Sequence, residues 1–179
     1  GMAIGDMPPM GAGAGITRNG AKMSKNKGNI VNPDQYYEEW GADTFRTYLM
    51  FLGPYEEGGD FRDEGLSGPR RFLDKVWELV QRCERRTLTG EELQHGIVIK
   101  WHQTKKRVTE GLEALSYNTA IAAQMELLNA MRAVNCSERR IVKEMLQMLA
   151  PFAPHFAEEC WERLGATTSI FDSSWPGWD

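Results

Sequence analysis

The stretch LSGPRRFLDKVWELVQRCERR, residues 66–86, decides the fold. Phe72, Leu73, Val76, Trp77 and Val80 recur at the three- and four-residue spacing of one helix face, with charged residues between them. A long helix with one apolar stripe needs apolar partners, and the chain downstream supplies them. A second periodic segment runs from about Val98 to Leu115, with Trp101, Val108, Leu112 and Leu115 facing inward. A third begins after Asn118 and carries Ile121, Met125, Leu128 and Met131. A last pair starts at Ser137, pauses at APFAPH (150–155) and continues to Gly165, which suits a C-terminal cap. The expected fold is all-α, an antiparallel bundle of four or five helices. Methionines and tryptophans at helical spacing read as core rather than as a cofactor box. TTSIFDSSWPGWD (167–179) has no period and reads as irregular.

Upstream of residue 66 the pattern is shorter and more broken. Asn32-Pro33 combines an N-cap with proline at the first helical position, and PDQYYEEW (33–40) is expected to end at Gly41. Asp43 is the expected cap of a second short helix, TFRTYLMFL (44–52), which stops at Gly53-Pro54. GPYEEGGDFRDEG (53–65) reads as loop. Asn19-Gly20 signals a small hairpin at about 15–24, and the Gly-, Pro-, Met- and Ala-rich residues 1–15 read as a loose linker.

Composition narrows the function classes. The 179 residues are 41% hydrophobic and carry a net charge of −4, so a polyanion would have to be met by a local patch and not by a whole-molecule field. Cys83, Cys136 and Cys160 are odd in number and far apart, and His95, His102 and His155 do not cluster with them. Neither a disulfide framework nor a metal site is expected; free thiols in a reducing cytoplasm are. No apolar run approaches the roughly 18 residues a membrane span requires.

One local patch is present. GAKMSKNKGNIVNP (20–33) places Lys22, Lys25 and Lys27 among small polar residues. Such a run is most often a solvated face, and that reading stands beside a functional one. The P-loop pattern fails because Ala21 follows Gly20 and Met23 follows the lysine; GxGxxG fails at Arg18. What remains is Lys-Met-Ser-Lys on the exit of a hairpin. Backbone amides and the Ser24 hydroxyl can donate to phosphate oxygens, Lys22 and Lys25 add point charges, and Met23 can pack back to anchor the loop.

KMSKNKGNIVNP (22–33) closely resembles the second ATP signature of class I aminoacyl-tRNA synthetases, Lys-Met-Ser-Lys-Ser. GADTFRTYLMFLGPYEEGGDFRDEGLSGPRRFLDKVWELV (41–80), YNTAIAA (117–123) and LAPFAPHFAEECWERLG (149–165) resemble the leucyl branch in particular. The likeness covers about residues 20–179. It implies that Lys22 and Lys25 hold ATP phosphates, with Lys25 stabilising the pyrophosphate that leaves as leucyl-adenylate forms. Met23 and Ser24 would shape the loop, and magnesium would arrive with ATP. Asn26 replaces the family's usual serine, which puts that hydroxyl's role in doubt.

The resemblance also divides the chain. Residues 1–19 would be a flexible start, 20–65 the ATP-signature loop with a stem-contact segment, and 66–179 a helical bundle like the family's anticodon-binding domain. Asp43 and Arg46 are expected to organise the helix junction rather than touch substrate. The bundle would contact the body of tRNA(Leu) through Arg70, Arg71, Arg82, Arg85, Arg86, Lys105, Lys106 and Arg107, contacts that position RNA without reading it. The alternative, ordinary helix surfaces paired with Glu78, Glu84 and Glu110, stays open. No membrane or DNA partner is implied. The class's other signature, His-x-Gly-His, is absent: Ile97 follows His95-Gly96. The expectation is therefore a piece of a cytoplasmic leucine-activating ligase that does not activate leucine alone, the other reading being a free-standing tRNA-binding or regulatory module.

Overall fold

The computed structural model describes residues 16–18, 20–85 and 95–178. Two units of unequal size share one chain. The smaller opens with strand β1 (Ile16–Arg18) and strand β2 (Ala21–Lys22), an antiparallel pair with Thr17 opposite Lys22. Helices α1 (Pro33–Trp40) and α2 (Ala42–Phe51) follow. Strand β3 (Gly59–Phe61) then returns to lie parallel to β1, giving the order β2-β1-β3. The β1–β2 pair is the small hairpin expected at about 15–24, whereas β3 lies inside the stretch expected to be loop. Three residues are too few to show alternation, and the pairing partner is over 40 positions away.

Asn32 caps α1 as expected, its side chain accepting from the Asp34 amide at 3.2 Å with proline in the first turn. Asp43 does not cap α2. The N-cap there is Gly41, at φ 82°, and the Asp43 carboxylate reaches instead across to the bundle. Tyr36, Phe45, Tyr48, Phe61 and Leu66 form a small buried core under the sheet, their rings packed edge-on and stacked at 5.3–6.1 Å. Burial, with Asp63 beside it, pushes the Tyr36 phenol up; burial does the same for Tyr48. The Tyr48 hydroxyl sits at 2.7 Å from both the amide and the carbonyl of Arg62, tying the end of β3 to α2.

The larger unit is the expected bundle: α3 (Ser67–Arg85), α4 (His95–Glu113), α5 (Tyr117–Ala133), α6 (Arg139–Leu149) and α7 (Pro154–Arg163). Val76, Leu79 and Val80 meet Trp101, Val108, Ile121, Leu128, Met131, Val142, Met145 and Leu149 in one buried core. Helices α4 and α5 pack tightly where Gly111 faces Ala120; a Cβ on Gly111 would lie 3.1 Å from that of Ala120. Gly165, at φ 75°, ends α7 as the sequence suggested.

Leu115 departs from expectation. Helix α4 stops at Glu113, so Leu115 falls past its end, 43% exposed and at φ 54°. The left-handed backbone lets the Ser116 amide return to the Gly111 carbonyl at 2.7 Å, closing the helix as a Schellman turn. A branched side chain there costs energy that glycine would not. Leu115→Gly is expected to raise stability by about 0.5–1 kcal/mol, after the unfolded-state entropy of glycine is offset; urea melts of the two chains measure it.

A second outcome concerns pH. Glu126 on α5 receives Lys100 Nζ at 2.6 Å and Arg107 Nη1 at 2.8 Å, both from α4. These hydrogen bonds, Lys100's first, pull its carboxyl from 4.5 to about 2. A carboxylate depressed in the folded state stabilises fully above its ordinary value and loses that contribution as pH falls through the folded one. Glu126→Gln is therefore expected to be less stable than the parent near neutral pH, with the gap closing between about pH 5 and pH 2 in denaturant melts.

Candidate nucleotide-binding loop and basic surface

The loop from Lys22 to Asn29 leaves the edge strand β2 and is held at three points. Met23 turns inward against the small core, as its place between two lysines suggested. Lys25, Asn26 and Lys27 form one 3₁₀ turn, closed by the Lys27 amide on the Ser24 carbonyl at 3.0 Å and the Gly28 amide on the Lys25 carbonyl at 3.2 Å. Gly28 sits at φ 64°, a backbone angle that favours glycine. Asn29 spans the neck: its Oδ1 accepts from the Ser24 amide at 2.8 Å, and its Nδ2 faces the carbonyls of Ala21 at 3.4 Å and Lys22 at 3.2 Å. Asn29 carries no functional signal in the sequence alone, because Gly28-Asn29 reads as ordinary turn punctuation.

Lys22, Lys25 and Lys27 are all exposed. The Ser24 hydroxyl does not cap the 3₁₀ turn. Three ammonium groups on a loop pinned at its neck and by Met23 form a compact positive feature, and a polyphosphate fits such a donor set.

A carboxylate fixes the hairpin that feeds this loop. Asp60 Oδ1 accepts from the Thr17 hydroxyl at 2.8 Å and the Gly20 amide at 3.0 Å, while Oδ2 pairs with Arg62 at 3.0 Å. The Gly20 amide first, then Thr17 and Arg62, hold its carboxyl below the usual carboxylate range. Asp60 belongs to the Gly-Gly-Asp-Phe segment that carried part of the resemblance, but its task could not be read from one sequence.

The junction of the two units runs through Asp43 and Arg46, as expected. Asp43 accepts from the Phe156 amide in the first turn of α7, and its other oxygen lies 3.0 Å from His155 Nδ1. Arg46 donates to the Pro151 carbonyl at 3.1 Å. A cleft of about 620 Å³ opens beside this joint, lined in part by Trp40, Arg70, Leu73 and Trp77.

The basic residues proposed for RNA fall into different environments. Arg71 and Lys106 are exposed, Lys106 only loosely paired with Glu110 at 3.8 Å. Arg70 pairs with Asp74 on its own helix at 2.9 Å. Arg82 donates to Asn135 at 2.8 Å, and Arg107 is engaged with Glu126. Arg85 lies in α3, and Arg86 is outside the described residues. Lys105 is a correction: it is 2% exposed, its Nζ 3.1 Å from Glu144 and 4.2 Å from the Trp101 ring centroid. A buried cation is neutralised inside the fold and cannot serve a phosphate outside it. The signal was present, since 105 stands four after Trp101 and three before Val108 on the inner face. Conversely, α6 carries cations the reading did not name: Arg140 lies 5.1 Å from the Trp101 ring and Lys143 4.9 Å from that of Trp161.

Comparison with known proteins follows the same division. Residues 11–83 match the family model of class I tRNA synthetases (M), and residues 94–179 match that of the anticodon-binding domain of tRNA ligase. A leucine–tRNA ligase of Dehalococcoides mccartyi is 43% identical over 171 residues, covering 92% of this chain and 21% of that protein. One from Phocaeicola vulgatus is 42% identical over 160 residues, covering 88% and 17%. Among solved structures, the ternary complex of Agrobacterium radiobacter K84 LeuRS with tRNA and LeuAMS superposes with a TM-score of 0.80 at 26% identity, covering 92% of this chain and 24% of that one. The chain thus spans about a fifth of the length of the relatives it matches. Over nearly its whole length the chain is similar to one segment of leucine–tRNA ligases, its first part matching the class I tRNA synthetase model and its second the anticodon-binding domain model.

Proposed function

We propose that this chain is the part of a cytoplasmic leucine–tRNA ligase that supplies the ATP-phosphate loop and contacts to the body of tRNA(Leu) during leucylation. The observation that carries the reading is the loop itself: Lys22 and Lys25 stand in solvent at either side of an inward Met23, over a neck closed by Asn29. When leucine's carboxylate attacks the α-phosphate of ATP, an acyl phosphate forms and pyrophosphate departs. Negative charge grows on the leaving oxygens, and ammonium groups placed there lower the barrier more than they favour bound ATP. Lys25, on the tight 3₁₀ turn, takes the larger share, and Lys22 at the end of β2 the smaller. Magnesium enters with the nucleotide and shields the phosphates from one another.

Residues elsewhere in the complete enzyme supply the leucine pocket and the opposing half of the nucleotide site. The bundle meets RNA through exposed cations such as Arg71 and Lys106, which attract phosphate without reading bases. The second reading, a free-standing tRNA-binding module, draws on the bundle's closed core, which joins all five helices of the larger unit.

In the complete enzyme, Lys25→Ala is expected to slow leucine-dependent pyrophosphate exchange by about 100-fold, with tRNA affinity changed less than about twofold. Equal losses in both would remove the role assigned to Lys25. For the bundle, binding of this chain to tRNA(Leu) and to an unrelated tRNA is measured across a salt series. Preference for tRNA(Leu), falling as salt rises, supports an autonomous module; equal weak binding to both places discrimination in other parts of the enzyme.

A further inference from the structure

We propose that Asn29 is a positioning residue for adenylate formation, a side chain that fixes the lysine loop without touching substrate; this rests on the ATP reading of Lys22 and Lys25. The loop is short, polar and exposed along Lys25–Lys27, and the local bonds of its 3₁₀ turn reach only from Ser24 to Gly28. Nothing in that turn determines how it leaves β2. Asn29 does so, by joining residues on both sides of Met23 to itself. Its carbonyl oxygen takes the Ser24 amide, and its amide group faces the carbonyls of Ala21 and Lys22.

The chemistry of the amide is what the place requires. A backbone N–H on one side and two backbone carbonyls on the other need one acceptor and a pair of donors on a single short stem, and asparagine carries both. The same pattern fixes the orientation of the amide, since the reversed one would set oxygen against two carbonyls. Lys22 is thus held through its own carbonyl, and Lys25 through the amide of the residue before it. Both ammonium groups hang from backbone that Asn29 spans. Displacing reacting charges by about 1 Å can cost on the order of 100-fold in rate, so a neck brace controls catalysis from outside the site.

Asn29 and Asp60 hold different ends of the hairpin. Asp60 holds the hairpin turn upstream through Gly20 and Thr17. Asn29 holds the exit, where the two lysines diverge.

Two measurements test it together. In the 179-residue chain, amide hydrogen exchange of Ser24 is followed in the parent, Asn29→Ala and Asn29→Asp. Asn29→Ala is expected to speed Ser24 exchange about tenfold and leave Leu146 in the bundle unchanged. Asn29→Asp keeps the acceptor and so keeps Ser24 protected, but it offers no donor to Ala21 and Lys22. In the complete enzyme, both variants are expected to lower kcat for pyrophosphate exchange, Ala by about 100-fold, with KM for ATP and tRNA affinity within about threefold.

Unchanged Ser24 exchange in Asn29→Ala overturns the brace, whatever ATP does. Loss of protection at Leu146 as well makes Asn29 a general stability residue and overturns the positioning role. Normal kcat in Asn29→Ala, beside a crippled Lys25→Ala, overturns this inference and leaves the ATP reading standing. Normal exchange activity in Lys25→Ala overturns the ATP reading, and the inference with it.

Discussion

One carboxylate, that of Asp43, anchors the smaller unit to the start of α7 in the bundle. Helix α7 begins at Pro154, which has no N–H, and its first turn leaves the amides of His155 and Phe156 without helical partners. The local N-cap residue is Ala153, which has no side-chain acceptor to offer. Asp43 supplies the missing oxygen from another helix, 113 residues away in sequence, where a negative charge is also favoured by the helix dipole. Arg46, one turn further along α2, takes the Pro151 carbonyl at the other side of the same turn. The two ends of a helix–helix corner are thus satisfied by opposite charges from a single helix. Such contacts contribute about 1 kcal/mol each when measured as caps, but their directionality fixes an angle that apolar packing alone would leave loose.

From that joint a continuous path of packed groups leads to the lysines. Helix α2 brings Phe45 and Tyr48 into the small core, where they surround Phe61 of β3. Strand β3 pairs with β1, Asp60 on it grips the hairpin turn, and β2 leads into the loop. Gly65 lies so close to the Tyr48 ring that a Cβ there would approach it to 2.5 Å. Rigid rings and short polar bonds thus carry position from the bundle to the base of the loop. The 3₁₀ turn Lys25–Lys27 hangs between the two residues that the Asn29 side chain joins, Ser24 and Asn29 itself.

The sequence made the helices legible because their signal is local and repeated. Phe72, Val76 and Val80 announce a face without reference to any other part of the chain. Asn32-Pro33 was equally readable, since cap and helix are neighbours. What escaped was tertiary. Asp43 looks like a local cap because Asp at a helix start normally is one, and only the fold shows a second helix end within its reach. Strand β3 consists of Gly-Asp-Phe, whose identity as strand comes wholly from β1. Lys105 sits in a run of three basic residues that reads as a charged face, yet helical spacing assigns it to the side of Trp101 and Val108. In the candidate loop, Lys22, Lys25 and Met23 stand out by their motif, whereas Asn29 and Asp60 do not, because a side chain that ties two backbone segments is defined by what it reaches.

The grip of Asp43 on α7 also orders events in time. A ribosome releases the chain from the amino end, so α2 emerges long before the residues it must hold. Until Pro154–Arg163 has left the exit tunnel, the platform under the lysine loop lacks the partner of Asp43. The entropic cost of closing so long a loop grows only slowly with length. A chain interrupted before α7 would carry Asp43 without the helix end it caps, and would display its lysines on a mount missing that contact.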